Sequence, residues 1–277
     1  MDRRKALKLG AGALTAGGAG LLSLPVIFRT ENSVKAEPRK LEYAMEEGEW
    51  KYDYLDPDVT AQLAYGHYKD GSCMYATVTS VISQLAEKYG EPYSSFPCHM
   101  FKYGHGGVGG YGSVCGTLNG AAALIGLLIP DKGIQDVMIT DLFQWYEKEA
   151  MPVFIPEKPV YEASIPVSIS NSVLCHASNT NWCKATGFAV NSDERKERCR
   201  RITSDVARQV TLALNNLAMH AYMTHGHANE EVNSCIACHG DVGRVKNTSV
   251  KMSCNSCHSE SIGHRIFSDV HYRYMKD

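Results

Sequence analysis

The chain carries almost no net charge: 28 Lys and Arg stand against 30 Asp and Glu in 277 residues, a formal charge of −2. Such a balance speaks against a nucleic-acid partner. Low-complexity tracts are missing too, since 44% hydrophobic and 21% charged residues form an ordinary globular mixture, enough for one or two domains with a real core. No convincing alternation of apolar and polar residues occurs, so strands are not expected to build the fold. Seven glycines crowd the stretch from Tyr103 to Gly116. It nevertheless lacks the lysine and Ser/Thr of a phosphate loop, and the preceding strand of a dinucleotide fingerprint. No βαβ pattern is visible, which weakens a thioredoxin-type reading of any CxxC pair.

What is present is concentrated in the last fifth. Cys235-Ile236-Ala237-Cys238-His239 and Cys254-Asn255-Ser256-Cys257-His258 are two copies of one motif. Two thiols at this spacing add across the vinyl groups of a haem, and the adjacent imidazole becomes the proximal iron ligand. Two CxxC pairs fifteen residues apart also suit a four-cysteine zinc site. The histidine after each second cysteine separates the readings, because histidine is only 11 of 277 residues. Two haems c are therefore expected, through Cys235, Cys238, Cys254 and Cys257, with His239 and His258 on the irons.

The amino terminus pairs Arg3 and Arg4 ahead of a Gly/Ala-rich apolar run from Leu9 to Phe28, and small residues follow at Val34-Lys35-Ala36. This resembles a twin-arginine export signal over residues 1–36. A membrane anchor is the competing reading, but so many glycines make a poor spanning helix, and no stable anchor is expected after cleavage. Removal of 1–36 takes the charge from −2 to −6. An acidic periplasmic protein of this kind suits docking to basic redox proteins of the same compartment.

The body reads as mainly α. An acidic, aromatic segment from Glu42 to Asp58 has no period and should wrap the body, with Trp50, Tyr52 and Tyr54 packing. Val59, Leu63 and Tyr65 lie on a helix that breaks at Asp70-Gly71. Met74, Val78, Val81, Ile82 and Leu85 continue at helical spacing, placing Cys73 in a first turn, a position that favours thiolate. Thr117–Ile129 predicts a helix apolar nearly all round and so centrally buried. Another helix carries Val137, Leu142, Trp145 and Tyr146; four prolines make 152–167 an extended crossing. A long amphipathic helix begins near Ser192 and carries Cys199, Ile202, Val206, Val210, Leu214 and Leu217.

Six cysteines remain: Cys73, Cys98, Cys115, Cys175, Cys183 and Cys199. In a periplasmic protein they could pair as disulfides, or four could hold an iron–sulfur cluster. A twin-arginine route, which carries folded proteins, favours a metal centre inserted before export. The glycine-rich loop leading into Cys115 suits either hydrogen bonding to cluster sulfurs or a plain tight turn.

Cys73, Val114-Cys115-Gly116 with Gly120, Cys175 and Cys183 resemble the pattern of a family of redox-active helical proteins named for those spaced cysteines. Followed by two CxxCH motifs, the whole is similar to the split-Soret cytochromes c of sulfate-reducing bacteria. The resemblance implies a homodimer, two bis-histidine haems per subunit and a [2Fe-2S] cluster in a helical domain. Cys115, Cys175, Cys183 and Cys199 are the expected cluster ligands, with Cys73 the first substitute and Cys98 the spare. The domains would be a helical cysteine-rich domain over 37–219 and a small dihaem segment with little regular structure over 220–277. Distal haem ligands would come from His220, His225, His227, His264 or His271. Met223, Met252 and Met275 are less persuasively placed. Six-coordinate haems leave no open iron for substrate, so electron transfer is the expected role. The alternatives are a reductase acting on a small oxidised substrate at the cysteine domain, and a metal-free disulfide scaffold carrying haems.

Overall fold

Helix α1 (Pro57–Tyr89) runs the length of the body and packs along α5 (Asp193–Ala218) as its main partner. The computed structural model describes residues 38–43, 45, 50–225 and 230–254; residues 1–36, where an export signal is expected, lie outside them. Between the two long helices come α2 (Gly116–Leu128), α3 (Lys132–Lys148) and α4 (Cys175–Thr186), and α6 (Glu230–His239) follows. Ala150–Met151 (β1) and Ser168–Ile169 (β2) form an antiparallel ladder two residues long, too short to leave a periodic trace. The mainly helical expectation holds. Among the described residues, no helix is long and apolar enough to cross a membrane.

Local chemistry fixes the helix ends. Asp56 caps α1 by accepting from the amides of Asp58 and Val59, with Pro57 in the first turn. Asp131 caps α3 through Ile134 N, and Ser192 caps α5 through Arg195 N. The expected break in α1 falls at Ser72, whose φ of 64° and ψ of −160° lie in a region nearly reserved for glycine. As its apolar circumference predicts, α2 is central, burying Leu118, Ala121, Leu124, Ile125 and Leu128. Helix α4 has no counterpart in the periodicity, because only Ser178 and Trp182 of its twelve residues are buried.

The amino-terminal strap wraps the body as expected, except that Tyr54, expected to pack, is exposed. Trp50 meets Tyr93 and Phe96 edge-on, and Asn215 of α5 clamps the strap from inside. Asn215 Oδ1 accepts from Tyr52 Oη (2.8 Å) and Leu55 N (3.1 Å), while its Nδ2 donates to Leu55 O (2.7 Å). The proline-rich crossing is held by Asp205 of α5, which accepts from Val153 N (3.0 Å) and Phe154 N (2.8 Å). The body continues past α5: Tyr222 and Thr224 are buried on it, with Leu41 N donating to Tyr222 O.

Two glycines let α2 close on α1. A Cβ on Gly116 would run into Gly104 O and lie 3.1 Å from Cys73 Cβ, and one on Gly120 would lie 2.9 Å from Met74 O. Gly116→Ala should therefore cost about 1–3 kcal/mol, because backbone must move to admit the methyl. Gly66→Ala faces open space on helix α1 and should gain a few tenths to about 1 kcal/mol; urea unfolding compares the two.

Asp205 gives a pH prediction. Burial outweighs its two amide bonds and raises its carboxyl from 3.8 to about 6. The folded state thus binds more protons than the unfolded one between these values, so this carboxyl supports the fold most below its unfolded pKa and least above pH 6. Asp205→Ala should lose more stability at pH 5 than at pH 7.5; equal losses, or the reverse order, would show that the carboxyl is ionised throughout.

Candidate metal centre

Cys73, Cys115, Cys175 and Cys199 line one small cavity, each delivered by a different helical segment. Cys73 follows the Ser72 kink, Cys115 is the N-cap residue of α2, Cys175 opens α4 and Cys199 stands in the first half of α5. Asn179 ties two of the sulfurs together, donating to Cys175 Sγ (3.3 Å) and accepting from Cys199 Sγ (3.4 Å). Cys73 Sγ donates to Tyr68 Oη (3.7 Å), and Tyr146, hydrogen-bonded to Ser178 Oγ (3.2 Å), meets Cys115. Three of the four thus stand at helix N-termini, where unpaired amides and the helix dipole favour negative sulfur.

The glycine-rich loop acts as the positioning device. It returns against the start of α4: Cys175 N donates to Ser113 O, His176 N to Gly112 O, and Cys115 N to Val173 O. Val114 and Leu174 form an isolated antiparallel bridge, which holds the neighbouring Cys115 and Cys175 together. At Gly112 the left-handed φ of 70° and a would-be Cβ only 2.8 Å from His176 Cβ both demand glycine.

Electrostatically the four thiols are incomplete. Burial, reinforced by the neighbouring sulfurs Cys115 and Cys199, pushes Cys73 well above the ordinary thiol range. Cys115 is raised by burial, and Cys175 is raised by burial and by Cys115 to about 12. The thiolate expected at Cys73 from its helical position is therefore not favoured, because desolvation outweighs the dipole in this pocket. The same cavity is lined by Arg198, only 1% exposed. Arg198 Nη2 donates to Ser178 Oγ (3.0 Å) and its guanidinium lies 5.6 Å from the Trp182 ring centroid. Its Nε has no hydrogen-bond partner, and no carboxylate among the described residues lies within 4.0 Å of it. The nearby buried carboxylate Glu197 is taken by Arg200, Arg201 and Tyr65.

Of the four expected ligands, the fold brings together Cys115, Cys175 and Cys199, and the fourth sulfur of the cavity is Cys73. Cys183 is not among the lining residues. It stands eight residues beyond Cys175 on α4, about 12 Å along the axis, too far to share so small a site. Cys98, half-buried in a 3-10 turn beside Thr79, is also apart. Among the described residues, no group of three or more His, Cys, Asp or Glu side chains converges on one ion position.

The first CxxCH motif lies on α6, where Cys235 and Cys238 share one face at i, i+3. The chain then folds back, with Val245 N donating to Cys238 O and Asn247 N to His239 O. His239 Nδ1 pairs with Asn247 Oδ1 at 2.9 Å, which fixes Nε2 as the nitrogen presented to a metal. Two distal candidates show the same trait. His220 Nδ1 faces Tyr43 O at 3.1 Å, and His225 Nδ1 lies 3.7 Å from the buried Asp141 carboxylate, whose Oδ2 accepts from Tyr222 Oη and His225 N. Cys254 is half-buried; Cys257, His258, His227, His264 and His271 lie outside the described residues. Arg198, Asn179, Asp141 and Asn247 escaped the sequence reading. Only Arg198 left a signal there, as a cation on the apolar side of an amphipathic helix next to a cysteine.

Residues 75–212 match the family described as "Putative redox-active protein (C_GCAxxG_C_C)", a stretch beginning two residues after Cys73. The split-Soret cytochrome c of Desulfovibrio desulfuricans is 33% identical over 263 residues, 92% of this chain and 94% of that protein. A solved structure of the split-Soret cytochrome c from that species, described as having a novel iron centre, superposes with a TM-score of 0.72 at 33% identity. The match covers 77% of this chain and 92% of the other. With that identity along nearly the whole of both chains, and a cysteine-lined helical body followed by CxxCH motifs, the chain belongs to the split-Soret cytochrome c family.

Proposed function

We propose that the chain is a periplasmic electron-transfer protein that holds two haems c in its C-terminal segment and a [2Fe-2S] cluster on Cys73, Cys115, Cys175 and Cys199. The observation that carries the reading is that four sulfurs, supplied by four helical segments, line one cavity beside a buried cation with no anion within reach among the described residues. The donor set fits a metal–sulfur group. Protonated thiols leave Arg198 uncompensated, and disulfides would do the same, whereas thiolates bound to iron supply the missing negative charge. Cys175 and Cys199, both only partly buried, give the side-chain freedom that admitting such a group into a small cavity requires. The novel iron centre of the related split-Soret cytochrome points the same way.

The cofactors supply the electron chemistry, and this chain's residues bind and orient them. Cys235 and Cys238 anchor the first haem, with His239 held toward iron by Asn247; Cys254, Cys257 and His258 do the same for the second. His220 and His225 are the distal ligands supported by an oriented Nδ1. Helix α3 links the two centres: Tyr146 touches Cys115 and Asp141 touches His225, five residues or about 7.5 Å apart along one axis. Residues 1–36 direct export of the folded body, and a segment of fewer than sixty residues carrying two haems is completed by a homodimer. Periplasmic redox proteins are the exchange partners.

Analysis of the purified protein for haem, non-haem iron and acid-labile sulfide tests this. Two haems, two non-haem irons and two sulfides per chain are expected. Cys73→Ala should abolish the sulfide while Cys183→Ala keeps it, and haem should be unchanged in both. Absence of sulfide in the parent protein, or its loss in Cys183→Ala alone, would refute the assignment.

A further inference from the structure

We propose that Arg198 is the internal counter-ion of the centre held by Cys73, Cys115, Cys175 and Cys199, and that its positive charge raises the potential at which this centre accepts an electron. The inference rests on the cluster reading above and adds to it a residue that sets the redox poise.

Arg198 is nearly sealed from solvent, at 1% exposure. Among the described residues its guanidinium donates one hydrogen bond, to the neutral Ser178 hydroxyl, and faces the Trp182 ring, while Nε finds no partner. Neighbouring arginines on α5 are served differently: Arg200 and Arg201 both bind the Glu197 carboxylate. A cation withdrawn from water destabilises the fold, and mutual attraction offsets this only when an opposite charge is close. The cavity lining holds no carboxylate, and burial keeps the Tyr146 phenol protonated, which leaves the ring of sulfurs as the group that metal binding can make negative. Four thiolates around two ferric ions and two sulfides make a dianion, and uptake of one electron, with no proton required, makes a trianion. A fixed positive charge on the cavity wall stabilises the more negative form more, so it favours reduction. Ser178 and Trp182, both on α4 with Cys175, hold the guanidinium in place. Arg198 is thus a positioning and charge-setting residue that binds no iron.

The test compares Arg198→Met and Arg198→Lys with the parent in the full haem-loaded protein. Iron and sulfide are counted, and the cluster potential is read by EPR-monitored titration, independently of any partner assay. Arg198→Met should make reduction at least about tenfold less favourable, a fall of about 59 mV for a one-electron couple, and Arg198→Lys should restore most of it. In protein stripped of non-haem iron and sulfide the order of stability should invert: Arg198→Met should unfold at higher urea than the parent, since it no longer buries an unmatched charge. A cluster retained at unchanged potential in Arg198→Met would overturn the proposal. So would a Met variant that cannot fold without the cluster, because the scaffold itself would then need the guanidinium. Loss of the cluster from the Met and Lys variants alike would also overturn it, by showing that shape and not charge matters. A parent protein lacking sulfide would instead defeat the cluster reading on which the proposal stands.

Discussion

A buried guanidinium with no carboxylate within reach among the described residues faces four thiols, two of them buried and two half-buried, and much of the molecule is arranged to keep them together. Neither half is stable alone in physical terms. Arg198 is desolvated, hydrogen-bonded to the neutral Ser178 and facing an indole, and burial makes Cys73, Cys115 and Cys175 all resist ionisation in their pocket. The proposed metal–sulfur group would resolve both deficits at once, since metal ions deprotonate thiols and the resulting anion would meet the arginine.

The devices that hold this arrangement are backbone ones. Gly116 and Gly120 let α2 approach α1 until Cys115 and Cys73 meet, and Gly112 with the Val114–Leu174 bridge brings Cys175 to the same point. Ser72 sits in strained geometry immediately before Cys73, the kind of local strain that persists only where surrounding packing enforces it. On the far side, α3 carries Tyr146 toward the sulfurs and Asp141 toward His225, so one helix serves both the cavity and the segment that leads to the CxxCH motifs.

Much of this was legible in the sequence, for identifiable reasons. The apolar faces of α1, α2, α3 and α5 follow helical spacing because each is buried along its length, and the break before Cys73 is marked by Asp70-Gly71. Helix α4 was illegible, since Cys175–Thr186 buries only two side chains and begins without a side-chain cap. That gap is why Cys183 looked equivalent to Cys175: spacing along the chain says nothing of position until the segment is known to be a helix. Cys73 seemed poised for thiolate because the dipole is visible in sequence, whereas the burial that reverses it, reinforced by the sulfurs of Cys115 and Cys199 from distant parts of the chain, exists only in the fold. Arg198 could not be recognised for the same reason, because an unpaired charge is defined by its surroundings.

Differential alkylation tests the convergence of the four sulfurs most directly. Native protein is treated with a light reagent, then unfolded with an iron chelator and no reductant, and treated with a heavy one before mass spectrometry. Cys73, Cys115, Cys175 and Cys199 should all carry the heavy label, being protected while folded yet never oxidised to disulfides. Light label on any of these four, or a mass deficit showing that they are paired as disulfides, would contradict the account.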